Sequence, residues 1–162
     1  MERMLFDATQ DDGADWTMVS DRVMGGVSEG HLTHETVEGR PALRLTGEVR
    51  LDNNGGFLQM ARDMDPAGGW NGLRLVLRGN GEAYNLHLRT DALDRPWQSF
   101  RATVHPGVAW QTFDIGFADL TPHRTRAVFD PTELTRLGIV AIGHAFAADV
   151  ALASLALFAR RD

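Results

Sequence analysis

Two carboxylates in this sequence stand just ahead of glycine pairs. Asp21 lies within Ser20-Asp-Arg-Val-Met-Gly-Gly-Val-Ser28, and Asp52 opens Asp-Asn-Asn-Gly-Gly-Phe57. Two acids brought to one substrate would be the pair that works in glycoside hydrolysis. That chemistry needs convergent geometry, which sequence spacing does not supply. Asp21 reads more simply as a loop acceptor or the partner of an arginine. No catalytic residue is assigned.

His31 and His34 offer the nearest thing to a metal spacing. On a strand, a three-residue offset sends two side chains to opposite faces. A zinc site also needs further ligands, and the other histidines are scattered. No spacing of oxygen ligands suits calcium. There is no Gly-x-Ser-x-Gly elbow, phosphate-binding loop or dinucleotide fingerprint. No metal and no cofactor is expected.

The stronger candidate is a polar strand face. Asn85, His87 and Arg89 alternate with Tyr84, Leu86 and Leu88, and Arg101 and Trp97 follow on the next strand. Polar groups beside an aromatic platform suit a sugar or a peptide. A solvated outer sheet face gives the same alternation.

Composition narrows the choices. The net charge of −6 argues against nucleic-acid binding, which needs a basic surface. Cysteine is absent, which removes disulfides, thiolate catalysis and cysteine zinc sites, and fits a reducing compartment. The N-terminus lacks the basic and apolar regions of a signal peptide. The longest apolar stretch, near the C-terminus, is broken by His144 and Asp149. The expected setting is cytoplasmic, with no membrane insertion.

The elements that would position these residues are strands. Ala42 to Leu51 alternates most clearly, with Leu43, Leu45, Gly47, Val49 and Leu51 on one face. Gly47 mid-strand predicts a bulge or a close neighbour. Leu73–Arg78 and Tyr84–Thr90 alternate on either side of Gly79-Asn-Gly81, which predicts a hairpin. Further strands are expected at Met4–Phe6, Trp16–Ser20, His31–Val37, Phe57–Ala61, Trp97–Val104 and Trp110–Ile115. Ile139–Phe146 and Val150–Phe158 are apolar at nearly every position and predict central strands. Asp130-Pro-Thr-Glu133 has the residues of a helix start, and one or two turns are expected, ending at Gly138. About nine or ten short strands with one short helix predict an all-β sandwich. No linker or repeat divides the chain, so residues 1–162 are drawn as one domain.

These motifs resemble those of the complex I intermediate-associated protein 30 family. The resemblance rests on Ser20–Ser28, on Gly47-x5-Asn53-Asn-Gly-Gly-Phe57 with Arg62, on Trp110-x2-Phe113-x-Ile115-x-Phe117, and on Leu137-Gly-Ile139. It spans about Phe6 to Phe158, in the family's order. Gly116 departs from it, because the family often has proline before that aromatic. The resemblance implies a galactose-binding-like jelly-roll β-sandwich, similar to carbohydrate-binding modules. It also implies a non-enzymatic, chaperone-like role, since mitochondrial members assemble respiratory NADH:ubiquinone oxidoreductase. The chain is expected to be the domain alone, without the N-terminal extension of mitochondrial members, a short form expected in bacteria.

The expected partner is a polypeptide such as a complex I subunit or assembly intermediate; a carbohydrate is the alternative ligand. Asp21 and Arg22 would orient the first loop, with Gly25, Gly26 and Ser28. Asn53 and Asn54 would hydrogen-bond the second, with Gly55 and Gly56. Arg89, Arg101 and Trp97 would make contact, beside Asn85 and His87. Gly26→Val is expected to cost roughly 1–3 kcal/mol, as strain at a positive-φ site.

Overall fold

A computed structural model describes residues 1–160. Twelve strands make up most of it: β1 (Glu2–Asp7), β2 (Thr17–Ser20), β3 (Glu29–Val37), β4 (Arg40–Val49), β5 (Phe57–Asp63), β6 (Gly72–Arg78), β7 (Tyr84–Thr90), β8 (Ser99–Val104), β9 (Gln111–Gly116), β10 (Thr121–His123), β11 (Leu134–Ile142) and β12 (Phe146–Phe158). They form two antiparallel sheets. The first runs β3-β4-β12-β6-β9, with β1 on β12. The second runs β10-β8-β7-β11-β5-β2. The all-β sandwich is as expected.

Period-two alternation explains the layering. Leu43 and Leu45 of β4 and Leu73, Leu75 and Leu77 of β6 point inward from the first sheet. Leu58 and Met60 of β5, with Tyr84, Leu86 and Leu88 of β7, meet them from the second. β11 and β12 each pair on both sides, as their near-continuous apolar sequences predict. Tyr84 also ties the layers by hydrogen bonds: its hydroxyl donates to Asn80 Oδ1 and accepts from Asp149 N–H on β12. Burial pushes its phenol up to about 12.

Gly47 meets its neighbour as the sequence suggests. Its φ is +154°, and a Cβ there would lie 2.1 Å from Glu29 O on β3. Only glycine lets β3 approach so closely.

Three expectations need correction. Gly79-Asn-Gly81 is not a hairpin, because β6 and β7 lie in different sheets. Gly79 N–H and Gly81 N–H donate to Gly107 O and Pro106 O, so the turn docks on another loop and carries the chain between layers. The expected helix is a single 3-10 turn, Pro131–Glu133. Asp130 caps it by accepting from Thr132 N–H, but β11 begins at Leu134 and Gly138 lies within that strand. Pairing with β5 and β7 overrides the local helix signal. Trp97 precedes β8, in the β7–β8 loop.

Candidate functional site

The two glycine loops meet at one buried carboxylate. Asp21 has no exposed surface. It opens a 3-10 turn, Asp21–Met24, capped by Ser20 Oγ and closed by Gly25 at φ +90°. Asp21 Oδ1 accepts from Ser28 N–H at 2.9 Å. Its Oδ2 accepts from Ser28 Oγ, from Gly56 N–H at 2.6 Å and from Phe57 N–H at 3.3 Å. Burial works against ionisation here, and these four bonds outweigh it, holding the carboxyl below its ordinary value. Ser28 Oγ in turn accepts from Arg50 N–H. One side chain thus binds both loops.

The glycines fit around that carboxylate. A Cβ on Gly26 would sit 2.4 Å from Asp21 Cγ, and one on Gly55 2.5 Å from Asp21 Oδ2. Gly26 is not at positive φ; the left-handed residue is Gly25. The expected cost of Gly26→Val therefore survives with a different cause, collision with Asp21 in place of backbone strain. We expect a loss of about 1–3 kcal/mol in urea unfolding, as for other overpacked sites. Gly25→Ala would test the strain alone, since nothing lies near its Cβ position.

The other loop residues hold the same junction. Asn53 Nδ2 donates to Gly25 O at 3.1 Å, so it braces the first loop and not its own. Asn53 and Asn54 both adopt left-handed φ, +57° and +59°, which asparagine tolerates. Arg22 lies at the surface, donating to Ser28 O and pairing with Glu29.

Four of the five predicted sheet residues, Asn85, His87, Arg89 and Arg101, gather elsewhere, on the outer face of the second sheet. Cross-strand register puts Arg101, His87 and Gly138 in one row. Asn85 and Val140 lie in the next, beside Gln59. On the other side, Arg136 faces Arg89 and Asp63. This face is the floor of a cleft of about 840 Å³. Gly138 leaves room for Gln59, whose Oε1 would touch a Cβ there at 2.4 Å.

Two walls stand at diagonal corners. At the β2 edge, the turn after Ser20 raises Val23 and Met24, which are 76% and 58% exposed. At the far end of β7, the loop to β8 raises Trp97, 54% exposed. Arg89 holds that loop by donating to Arg95 O and Gln98 O. Gln98 stiffens it, accepting from the N–H groups of Asp94 and Arg95 and donating to Arg124 O. Trp97 is thus presented by a braced loop. The junction at Asp21 supports the opposite wall without lining the cleft.

The cleft is rich in cations, although the chain is acidic overall. Arg89, Arg101, Arg124 and Arg136 line it, against one carboxylate, Asp94. Arg101 Nε donates to Ser99 Oγ at 2.8 Å. Among the described residues, Arg89, Arg101 and Arg124 have no carboxylate within ion-pair distance, and Arg136 reaches only Asp63, at 3.9 Å. Burial lowers the pKa of Arg89, helped by the charge of Arg136; burial and then Arg124 do the same for Arg101.

His87 lies within this field. Burial first, then the charges of Arg101 and His123, push its imidazole down to about 3. Its Nε2 is buried without a partner among the described residues. Folding therefore favours neutral His87, while the unfolded chain takes up a proton below its ordinary value of 6.5. This contribution to stability is complete above pH 6.5 and falls progressively toward pH 3. Between pH 8 and pH 5 it removes about 2 kcal/mol. Urea titrations should show that His87→Gln lacks this part of the acid sensitivity.

Several lining residues escaped the sequence reading. Arg136 was hidden by the expected helix, and Val140 lay in the expected Ile139–Phe146 strand, whose apolar sequence does not say which face it takes. Phe57 and Gln59 do alternate with buried Leu58 and Met60, so that signal was present. Val23 and Met24 had no sequence signal beyond being apolar in a loop. His34 Nε2 contacts Ala8 O at 2.8 Å, an ordinary structural bond. Among the described residues no helix is long and apolar enough to cross a membrane.

Comparison with known proteins adds to this. The family 11 carbohydrate-binding module of the cellulosomal cellulase Lic26A-Cel5E of Clostridium thermocellum superposes with a TM-score of 0.82 at 10% identity, over 100% of this chain and 96% of that one. The family 30 carbohydrate-binding module of the cellulosomal cellulase Cel9D-Cel44B of the same organism gives 0.70 at 18%, over 100% and 99%. An exo-β-agarase gives 0.65 at 11%, covering 99% of this chain and 26% of that chain. At these identities the likeness shows the jelly-roll fold. No match was found among curated proteins. The family described as Complex I intermediate-associated protein 30 (CIA30) matches residues 4–152, nearly the whole chain and all the loop motifs. The chain belongs to the complex I intermediate-associated protein 30 family.

Proposed function

We propose that the protein is a non-enzymatic binding protein that holds an extended segment of a partner polypeptide in the cleft on the second sheet. The observation that carries this reading is the cleft itself, floored by His87, Arg89, Arg101 and Arg136 and walled by Trp97 and the Val23–Met24 turn. The buried state of Asp21 supports a role without hydrolysis, because its carboxylate cannot reach a substrate. Family membership supports partners in the assembly of NADH:ubiquinone oxidoreductase. The reading has the chain acting as one domain in the bacterial cytoplasm, with the junction residues Asp21, Ser28, Asn53 and the glycines holding the wall in shape.

Deletion and co-purification from native cells test the role. Enrichment of oxidoreductase subunits or assembly intermediates, with their accumulation after deletion, is expected. No enrichment together with a fully assembled oxidoreductase would contradict it. A carbohydrate ligand is the second reading, favoured by the exposed Trp97 ring and by folds of carbohydrate-binding modules. Glycan-array binding lost in Trp97→Ala would favour that alternative; silence across neutral polysaccharides would end it.

A further inference from the structure

We infer that the cleft selects an acidic polypeptide segment, one whose carboxylate side chains alternate with apolar ones. This rests on the polypeptide reading above and names its chemistry.

The argument is one of charge complementarity. Four arginines outside the cleft sit tightly on carboxylates: Arg44 and Arg78 on Asp149, Arg74 on Asp114, Arg22 on Glu29, all at 2.6–3.1 Å. The cleft instead gathers four, Arg89, Arg101, Arg124 and Arg136, around one lining carboxylate, Asp94, with Arg136–Asp63 at 3.9 Å their one ion pair among the described residues. Arg101 and Arg89 occupy neighbouring rows of the floor, and Arg136 faces Arg89 across the β7–β11 pairing. Guanidinium groups massed without counter-charge in a partly desolvated groove gain most from an anion that completes them. Arg89 is occupied with the Trp97 loop, so Arg101, Arg136 and Arg124 are the groups offered to a ligand.

The walls decide which kind of anion. Val23 and Met24 are aliphatic and offer no hydrogen bonds, and the floor beside them is Val140 and Phe57. A methionine wall adapts to varied apolar side chains. An acidic sugar would leave this corner against hydroxyl groups. An extended peptide presents side chains to one face at alternate residues, so it can set a carboxylate on the arginines and an apolar side chain against each wall. Duplex or single-stranded nucleic acid is disfavoured by the chain's net charge of −6, which repels a long polyanion outside the groove.

Fluorescence anisotropy on the full chain tests this with three labelled probes: a peptide alternating Glu and Leu, its counterpart with Gln for Glu, and an oligogalacturonate. The Glu peptide should bind at least about tenfold more tightly than the Gln peptide, and that advantage should shrink as salt rises. Arg101→Gln with Arg136→Gln should remove the advantage, while Arg3→Gln on β1, in the other sheet, should keep it. The comparison of probes on the unaltered protein needs no variant to fold. Equal affinity for the Glu and Gln peptides would overturn the acidic selectivity and leave the polypeptide reading standing. Oligogalacturonate binding with neither peptide bound would overturn both. Binding of no probe would overturn this inference, while the deletion and co-purification experiment judges the wider reading separately.

Discussion

Asp21→Ala will remove about 4 kcal/mol of stability, a large fraction of the roughly 5–15 kcal/mol a domain possesses. Three backbone N–H groups and one hydroxyl lose their acceptor at once, in a place water does not reach. Each buried donor left without a partner costs about 1–3 kcal/mol. The melting temperature should fall by roughly 10 °C for a chain of this length. Asp21→Asn should be intermediate, because it retains one acceptor oxygen but points an amide donor at other donors. The acid behaviour follows from the lowered carboxyl. The contribution is present above the ordinary carboxylate range and is lost as pH falls through the folded-state value. A loss below about 1 kcal/mol for Asp21→Ala would mean that the two loops are held by something else.

Asp149→Ala has the second-largest effect, about 3 kcal/mol. Asp149 accepts from Arg44 Nε and Nη2 and from Arg78 Nη1, on the outer face of the first sheet. The Arg44 hydrogen bond contributes most to holding its carboxyl down, burial opposes this, and the Arg44 and Arg78 charges assist. The Arg78 side chain is only 8% exposed, so loss of the partner strands a buried charge. Stranding, more than loss of attraction, sets the cost. Replacing Asp149 and Arg78 together by leucine and methionine should therefore recover much of the stability lost in Asp149→Ala. Chemical denaturation of the two variants checks this. A double variant no more stable than the single one would contradict that explanation.

Strands with strict alternation were legible from sequence. β4, β6 and β7 each announce an inner and an outer face through Leu43, Leu75 and Leu86 and their neighbours. The apolar runs of β11 and β12 announce central positions. Pairing between distant segments was not legible. Gly79-Asn-Gly81 has the residues of a hairpin, yet its carbonyl partners come from Pro106 and Gly107. The helix start at Asp130 is real for one turn, and two neighbouring strands then claim the next residues. At the site, parity placed Asn85, His87 and Arg89 on one face, which is correct. Parity could not reveal that Arg136 and Gln59 would lie beside them, because that depends on which strands are adjacent.

Glycine pairs gave a partial signal. They mark the loops as specially shaped, but sequence cannot distinguish a backbone that needs positive φ from one that needs an empty Cβ position. Gly25 is the first kind and Gly26 the second. The carboxylate that explains Gly26 lies five residues away in sequence and touches Gly55 as well.

Site-specific photo-crosslinking in native cells tests the docking surface most directly. A photoreactive residue at position 97 should yield an adduct with a partner polypeptide, and one at position 110 on the outer side of the first sheet should not. Adducts from position 110 alone, or from neither position, would contradict the assignment of the cleft as the place where the partner is held.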